Sequence, residues 1–269
     1  QEFQAYADML SGEVSRLRQA ADYFLEVNMG ATAIGTGINA VPGYAEKCVA
    51  HLAHISGFDV KLAGNLIQAT QDVSDFTSYS SALKRLAVKI SKICNDLRLL
   101  SSGPRTGLHE INLPPRQPGS SIMPGKVNPV IPEVVNMVAF KVIGNDLTVS
   151  MAVEAGQLEL NVFEPVAVQS VMESIEMLRN GMRTLRFRCV EGITANADHC
   201  KEQVYNSIGI VTALNPVLGY ERSTIVAKEA LEKNASVYDL VLEKGWLSKE
   251  RLDEVLSPEA MLQPRNLSK

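Results

Sequence analysis

Apolar residues open the chain at alternating steps of four and three: Phe3, Ala7, Leu10, Val14, Leu17, Ala21 and Phe24. The same alternation returns at Leu83, Leu86, Ile90, Ile93, Leu97 and Leu100, and again at Val168, Val171, Ile175, Leu178, Met182, Leu185 and Cys189. Steps of this kind place apolar side chains on one stripe of a helix, at the spacing of a coiled-coil seam. Three long helices are predicted, packed side by side. No segment alternates apolar and polar residues well enough to demand a sheet, so the expected class is all-α: an elongated bundle of long helices.

A fourth segment, "VVNMVAFKVI" at 134–143, is apolar on nearly every side. A helix of that kind belongs at the centre of a bundle or at a junction between subunits. Two glycine-rich connections interrupt the helices. "NMGATAIGTGIN" (28–39) leads to a shorter helix near 43–56, and a second connection runs from Ser101 to Pro129. Connections this long are generally functional when they are not disordered. Past residue 191 the segments shorten, and Pro216 and Gly219 break the pattern. "LSKERLDEVLSPEAM" reads as two brief helices, with Ser248 as an N-cap. The expected organisation is a central helical-bundle domain over 1–191 and a small C-terminal helical subdomain over 192–269.

Charge and composition narrow the partners. A net charge of −4 gives no reason to expect nucleic acid. No run approaches the roughly 18 apolar residues of a membrane span, and "QEFQAYADML" has neither the basic start nor the apolar core of a signal peptide. Cys48, Cys94, Cys189 and Cys200 stand far apart with no CxxC, which reads as reduced cytoplasmic thiols. His51 and His54 could share a helical face, but no further ligand pattern accompanies them, so no metal and no cofactor is expected. Lys84, Arg85, Lys89, Lys92 and Arg98 form a basic face with few acids beside them, which reads as a solvated face.

The chemistry concentrates at "GSSIMPGKVNPVIPE", 119–133. It differs from a nucleotide-binding phosphate loop. Five residues rather than four separate Gly119 from Gly125-Lys126, and Val127 stands where a magnesium-binding hydroxyl belongs. Yet glycine-exposed amides, Ser120, Ser121, Lys126 and Asn128 converge within a few residues, just ahead of a helix whose positive end begins near Val130. That combination makes a receptor for a small carboxylate.

Gly119-Ser120-Ser121, Pro124, Lys126, Asn128 and Glu133 resemble the G-S-S-x-x-P-x-K-x-N-x-x-x-x-E signature of the aspartase/fumarase superfamily. "GATAIGTGIN", "SKICNDLRLLSSGPR", "GQLELNVFEP" and "TALNPVLGY" resemble further family segments, so the likeness spans essentially the whole chain. Within the superfamily, "NPVIPEVVN", "VIGNDLTV" and "EAGQLELNV" are most similar to the aspartases. The resemblance implies reversible elimination of ammonia from L-aspartate to give fumarate, through an aci-carboxylate intermediate. It implies Ser120 as general base on a loop that closes over substrate. Ser121, Met123, Lys126 and Asn128 would contact substrate, with Glu133 supporting them from behind. It implies a homotetramer whose active sites are shared between subunits. Family chains begin well upstream of Gln1, and segments carrying a threonine-histidine pair and other substrate contacts precede it. This chain then resembles a C-terminal portion with one of three site-forming regions, inactive by itself. A class II fumarase and a non-catalytic helical scaffold are the competing readings.

Overall fold

The computed structural model describes residues 1–119, 122–123 and 125–262. The fold is all-α: every strand among the described residues is only two residues long. The chain divides into two compact units. The first comprises Gln1–Leu108 and Leu113–Thr194, and the second His109–Asn112 and Ala195 onward.

Four long helices build the first unit: α1 (Glu2–Ala21), α4 (Ser74–Leu100), α5 (Val130–Glu154) and α6 (Glu164–Arg188). Between α1 and α4 lie the shorter α2 (Tyr44–Ser56) and α3 (Leu66–Gln71). A short parallel pair, β1 (Glu26–Val27) and β2 (Lys61–Leu62), joins the two ends of this excursion. The core forms as the spacing predicts on α4, where Leu83, Leu86, Ile90, Ile93 and Leu97 are all buried. Val135, Ala139, Val142 and Val149 of α5, with Val171, Leu178 and Leu185 of α6, are buried as well. Apolar burial of this kind supplies the main driving force of folding.

Buried polar pairs fix how the helices register. Asp146 of α5 accepts from Ser80 Oγ at 2.9 Å and pairs with Lys84 of α4. Ten residues earlier on α5, Asn136 donates to Ser91 Oγ at 2.8 Å and to Asn95 Oδ1 at 3.1 Å. Partners on α4 therefore rise as α5 falls, which makes the two helices antiparallel. Asn145 ties α5 to α6 through Ser174 Oγ at 3.1 Å and Glu173 at 2.8 Å. Each such group is costly when unpaired, so a slip of one turn is disfavoured at three places.

Two expectations from the sequence are corrected. On α1 the buried residues are Tyr6, Glu13 and Ala20, whereas Phe3 and Val14 of the predicted seam are exposed. The basic face of α4 is likewise not merely solvated. Lys84 pairs with Asp146, Arg85 and Lys89 with Glu13, and Lys92 with Asp96, while Arg98 donates to Asn136 Oδ1 at 3.3 Å. Glu13 is the centre of this arrangement at 1% exposure, bound by Arg85 Nη2 at 3.0 Å, by Arg16 Nη1 at 3.1 Å and by Lys89. Burial alone would raise its carboxyl pKa, but the hydrogen bonds and charges of Lys89 and Arg85 outweigh it and hold the value below normal.

A depressed carboxylate stabilises the fold above the unfolded-state value, about 4.3 for glutamate, and that contribution is lost as pH falls through the folded value. Glu13→Gln is therefore expected to lower stability by roughly 2–3 kcal/mol at pH 7 and much less at pH 3. Urea unfolding of the chain at both pH values measures this. An equal loss at both would remove Glu13 from the account.

α5 also carries an unburied stripe. Met137, Phe140, Leu147 and Met151 are exposed on the side away from its core positions. The all-round apolar character seen in the sequence thus divides into one packed face and one open face.

The second unit contains α7 (Ala197–Asn206), α8 (Val211–Leu218), α9 (Tyr220–Lys233), α10 (Val237–Glu243), α11 (Lys249–Val255) and α12 (Pro258–Met261). Leu214, Val226, Val237, Val241, Leu252 and Leu256 form its core. Ser248 caps α11 by accepting from Arg251 N at 3.2 Å. Trp246 packs against the core, with Arg222 at 5.4 Å and Lys244 at 5.6 Å from its ring centroid. The segment His109–Asn112 joins this unit through Asn196, whose Nδ2 donates to His109 O at 2.8 Å and whose N donates to Glu110 O at 2.9 Å. That membership is not visible in the sequence. No described helix is long and apolar enough to cross a membrane.

Candidate functional site

Residues 118–119 and 126–128 form the paired arms of a hairpin immediately ahead of α5. Pro118 and Val127 bridge in antiparallel fashion, and Gly119 N donates to Lys126 O at 2.8 Å. Lys126 N in turn donates to Met123 O at 3.2 Å, and Gly125 takes a left-handed φ of +79°. Asn128 Nδ2 reaches back to Gly119 O at 3.3 Å and ties the two arms together. Val130, the first residue of α5, follows two positions later.

Gly119 is required by the closeness of these arms. A Cβ at this position would lie 2.6 Å from Lys126 O and 2.9 Å from both Lys126 C and Cγ. The aliphatic stem of Lys126 thus lies directly over a residue with no side chain. The cation is exposed, as is Met123, and Asn128 is half-buried. Glu133 sits in the first turn of α5, half-buried, where a carboxylate is favoured by the helix dipole. Ser120, Ser121 and Pro124 lie outside the described residues.

The incoming arm of the hairpin rests on the C-terminal end of α6. Arg116 Nε donates to Arg188 O at 2.6 Å. Pro114 lies against Gly192, where a Cβ would come within 3.0 Å of Pro114 Cγ. The carbonyls of a last helical turn have no partner further along the helix, and they carry its negative partial charge. An arginine suits that position. Burial pushes the neighbouring Cys189 thiol up to about 11, against the lowering effect of the Arg116 charge, and burial together with Cys189 pushes Cys94 to about 12. Both thiols are inert at neutral pH.

The second glycine-rich segment has its own close contact. Gly35 has φ +88°, and a Cβ there would lie 2.3 Å from Ile67 Cα and 2.6 Å from Ile67 N of α3. Gly35 and Gly37 both donate to Ala31 O at 3.1 Å, which closes the turn, while Thr36 is exposed. Gly35→Ala combines a forbidden φ with a backbone clash and is expected to cost about 2–4 kcal/mol. A urea midpoint within error of the parent chain would show that α3 can move aside.

Chemically, the described residues set one exposed ammonium, that of Lys126, a few residues ahead of the N-terminal end of α5, where the helix dipole favours negative charge. A family model described as "Lyase" matches residues 1–144, and one described as "Fumarase C C-terminus" matches 210–263. The chain belongs to the aspartase/fumarase superfamily of lyases. Superfamily relatives include an aspartate ammonia-lyase of Pseudomonas aeruginosa, 59% identical over 266 residues, covering 98% of this chain and 56% of the relative. Among solved structures, fumarate lyase:delta crystallin from Brucella melitensis, bound to cobalt, superposes with a TM-score of 0.94 at 52% identity. That likeness covers 98% of this chain and 57% of the other. Recombinant class II fumarase from Schistosoma mansoni gives a TM-score of 0.90 at 32% identity, over 99% of this chain and 59% of the other. The chain therefore spans little more than half the length of the superfamily members it matches.

Of the predicted site residues, the structure brings Lys126 and Asn128 together around Gly119, places Met123 in the same turn, and sets Glu133 on the adjoining helix. It also gives Asn128 a partner within the hairpin, which the sequence alone assigned to substrate. Arg116 was not singled out. Its bond is to a carbonyl 72 residues further along, and no local pattern signals such a contact.

Proposed function

We propose that the chain is part of an aspartate ammonia-lyase, which eliminates ammonia from L-aspartate to give fumarate. The observation that carries this reading is the set of seven signature positions between Gly119 and Glu133, in a chain 59% identical to an aspartate ammonia-lyase. Ser120 takes the proton from the carbon beside a carboxylate. Charge then builds on that carboxylate as an aci-carboxylate, which is where the Lys126 cation, Ser121 and the loop amides do most to lower the barrier. Met123 lines the pocket, and Glu133 supports the loop exit from α5. Asn128 contributes by donating either to substrate or, as here, to Gly119 O.

The open stripe of Met137, Phe140, Leu147 and Met151 supports a homotetramer with shared sites, because such a face is stable only when covered. A cytoplasmic setting accords with the four free cysteines. The 269 residues span 56% of that relative, so in this reading the rest of the site comes from the part of the relative they do not match, and these residues by themselves are inactive.

The test joins this chain to the portion of the Pseudomonas aeruginosa relative that it does not match, hereafter the joined enzyme. Fumarate is followed by ultraviolet absorbance. The joined enzyme is expected to form fumarate from L-aspartate at least about 100-fold faster than from L-malate, a difference of roughly 2.7 kcal/mol in barrier. The chain alone is expected to form none. Preference for malate would transfer the reading to a fumarase, to which the likeness with the Schistosoma mansoni enzyme lends some weight. A well-folded joined enzyme that turned over neither would leave a scaffold.

A further inference from the structure

We infer that Arg116 is a positioning residue for the hairpin, fixing its incoming arm to the end of α6 so that Lys126 is held at a set place. The inference rests on the elimination reading for its catalytic consequence, but its structural part stands without it.

A chain of contacts carries it. Arg116 Nε donates to Arg188 O at 2.6 Å, and Pro114, two residues before Arg116, lies on Gly192, so the arm is seated on the last residue of α6 and on the short 3-10 turn just beyond it. Three residues beyond Arg116, Gly119 donates to Lys126 O at 2.8 Å and accepts from Asn128 Nδ2 at 3.3 Å. The Lys126 stem lies over Gly119 at a distance that no side chain would permit. A displacement of the arm is therefore passed to Gly119 and from there to Lys126. Lys126 itself needs such a mount, because its long side chain has many rotamers and, among the described residues, its backbone is held by this stem and by the turn to Met123. Arg116 acts through these neighbours. Its own guanidinium is engaged with a carbonyl, at the end of a helix where positive charge is favoured.

The mount is read first without catalysis. Hydrogen–deuterium exchange of the Gly119 amide, which donates to Lys126 O, is measured by NMR in the 269-residue chain and in its Arg116→Ala and Arg116→Lys variants. Arg116→Ala is expected to speed exchange there about five- to tenfold, as expected for loss of one charge-assisted bond. Amides in the interior of α5 and α6 should be unchanged. Arg116→Lys, which keeps a cation able to reach the carbonyl, should recover most of the protection. The same variants in the joined enzyme should show kcat down about five- to tenfold for Arg116→Ala, with KM for aspartate within twofold, and substantial rescue by Arg116→Lys. A purely structural role would instead lower the folded fraction with neither the kcat-specific loss nor the rescue. Unchanged exchange in Arg116→Ala overturns the inference whatever the activity. Faster exchange with unchanged kcat also overturns it, since the arm would then be fixed without positioning anything. If the joined enzyme has no activity on aspartate, the elimination reading fails, and the exchange result alone decides whether Arg116 mounts the hairpin.

Discussion

Ser120→Ala in the joined enzyme is expected to lower turnover of L-aspartate by about 10³-fold or more, within the range of a lost general base. The far-UV circular dichroism spectrum and the assembly state should be unchanged. A serine hydroxyl is a very weak acid, so a serine base needs surroundings that stabilise its alkoxide. The signature places one cation, Lys126, six residues from Ser120, and the hairpin stem folds the chain so that Gly119, next to Ser120, meets Lys126 directly. In the elimination reading, a cation and backbone amides brought beside that hydroxyl would stabilise its alkoxide, most strongly where water is excluded. Removing one hydroxyl from a loop costs little stability, so a loss of activity without a loss of structure is the diagnostic result. Turnover within tenfold of the parent enzyme would take the base role from Ser120.

Lys126→Met should cost about 10²–10³-fold in kcat/KM, divided between a raised KM and a lowered kcat. One ammonium serves the substrate carboxylate in the ground state and the growing charge later, so both constants move. Succinate, an unreactive dicarboxylate, should lose affinity in parallel. Methionine keeps the aliphatic length that lies over Gly119, so the hairpin stem should survive. An unchanged succinate affinity would place the carboxylate receptor elsewhere. Because Lys126 is exposed here, the full effect is expected only in the joined enzyme, where bound substrate excludes water.

Much of the fold was legible where burial is local and apolar. The α4 stripe from Leu83 to Leu97 is buried as its spacing predicts, and α5 begins at Val130 where the prolines of the loop end. The phase of α1 was not legible. Its centre is Glu13, which counts as polar in any periodicity, and its burial depends on Arg85 and Lys89, more than 70 residues away. The same contact helps explain why the basic face of α4 looked solvated: the counter-charges of Lys84, Arg85 and Lys89 come from α5 and α1. At the site, the signature singled out Lys126 and Asn128 by type and spacing, and the structure brings both together around Gly119. The role of Gly119 as the floor beneath Lys126, and that of Arg116 at the end of α6, depend on tertiary approach and leave no trace in spacing.

The place of Trp246 has a practical bearing on how this molecule can be watched. It is the one tryptophan in the sequence, and it lies in the second unit between Arg222 and Lys244. Indole emission is sensitive to nearby charge and to water, so its intensity and wavelength report the state of α9 and α10 without any attached label. The helices of the first unit, including the hairpin and Glu13, contain no such chromophore. A denaturation curve recorded by tryptophan emission and one recorded by helical ellipticity thus look at different parts of the chain, and a gap between them would be information about which unit yields first.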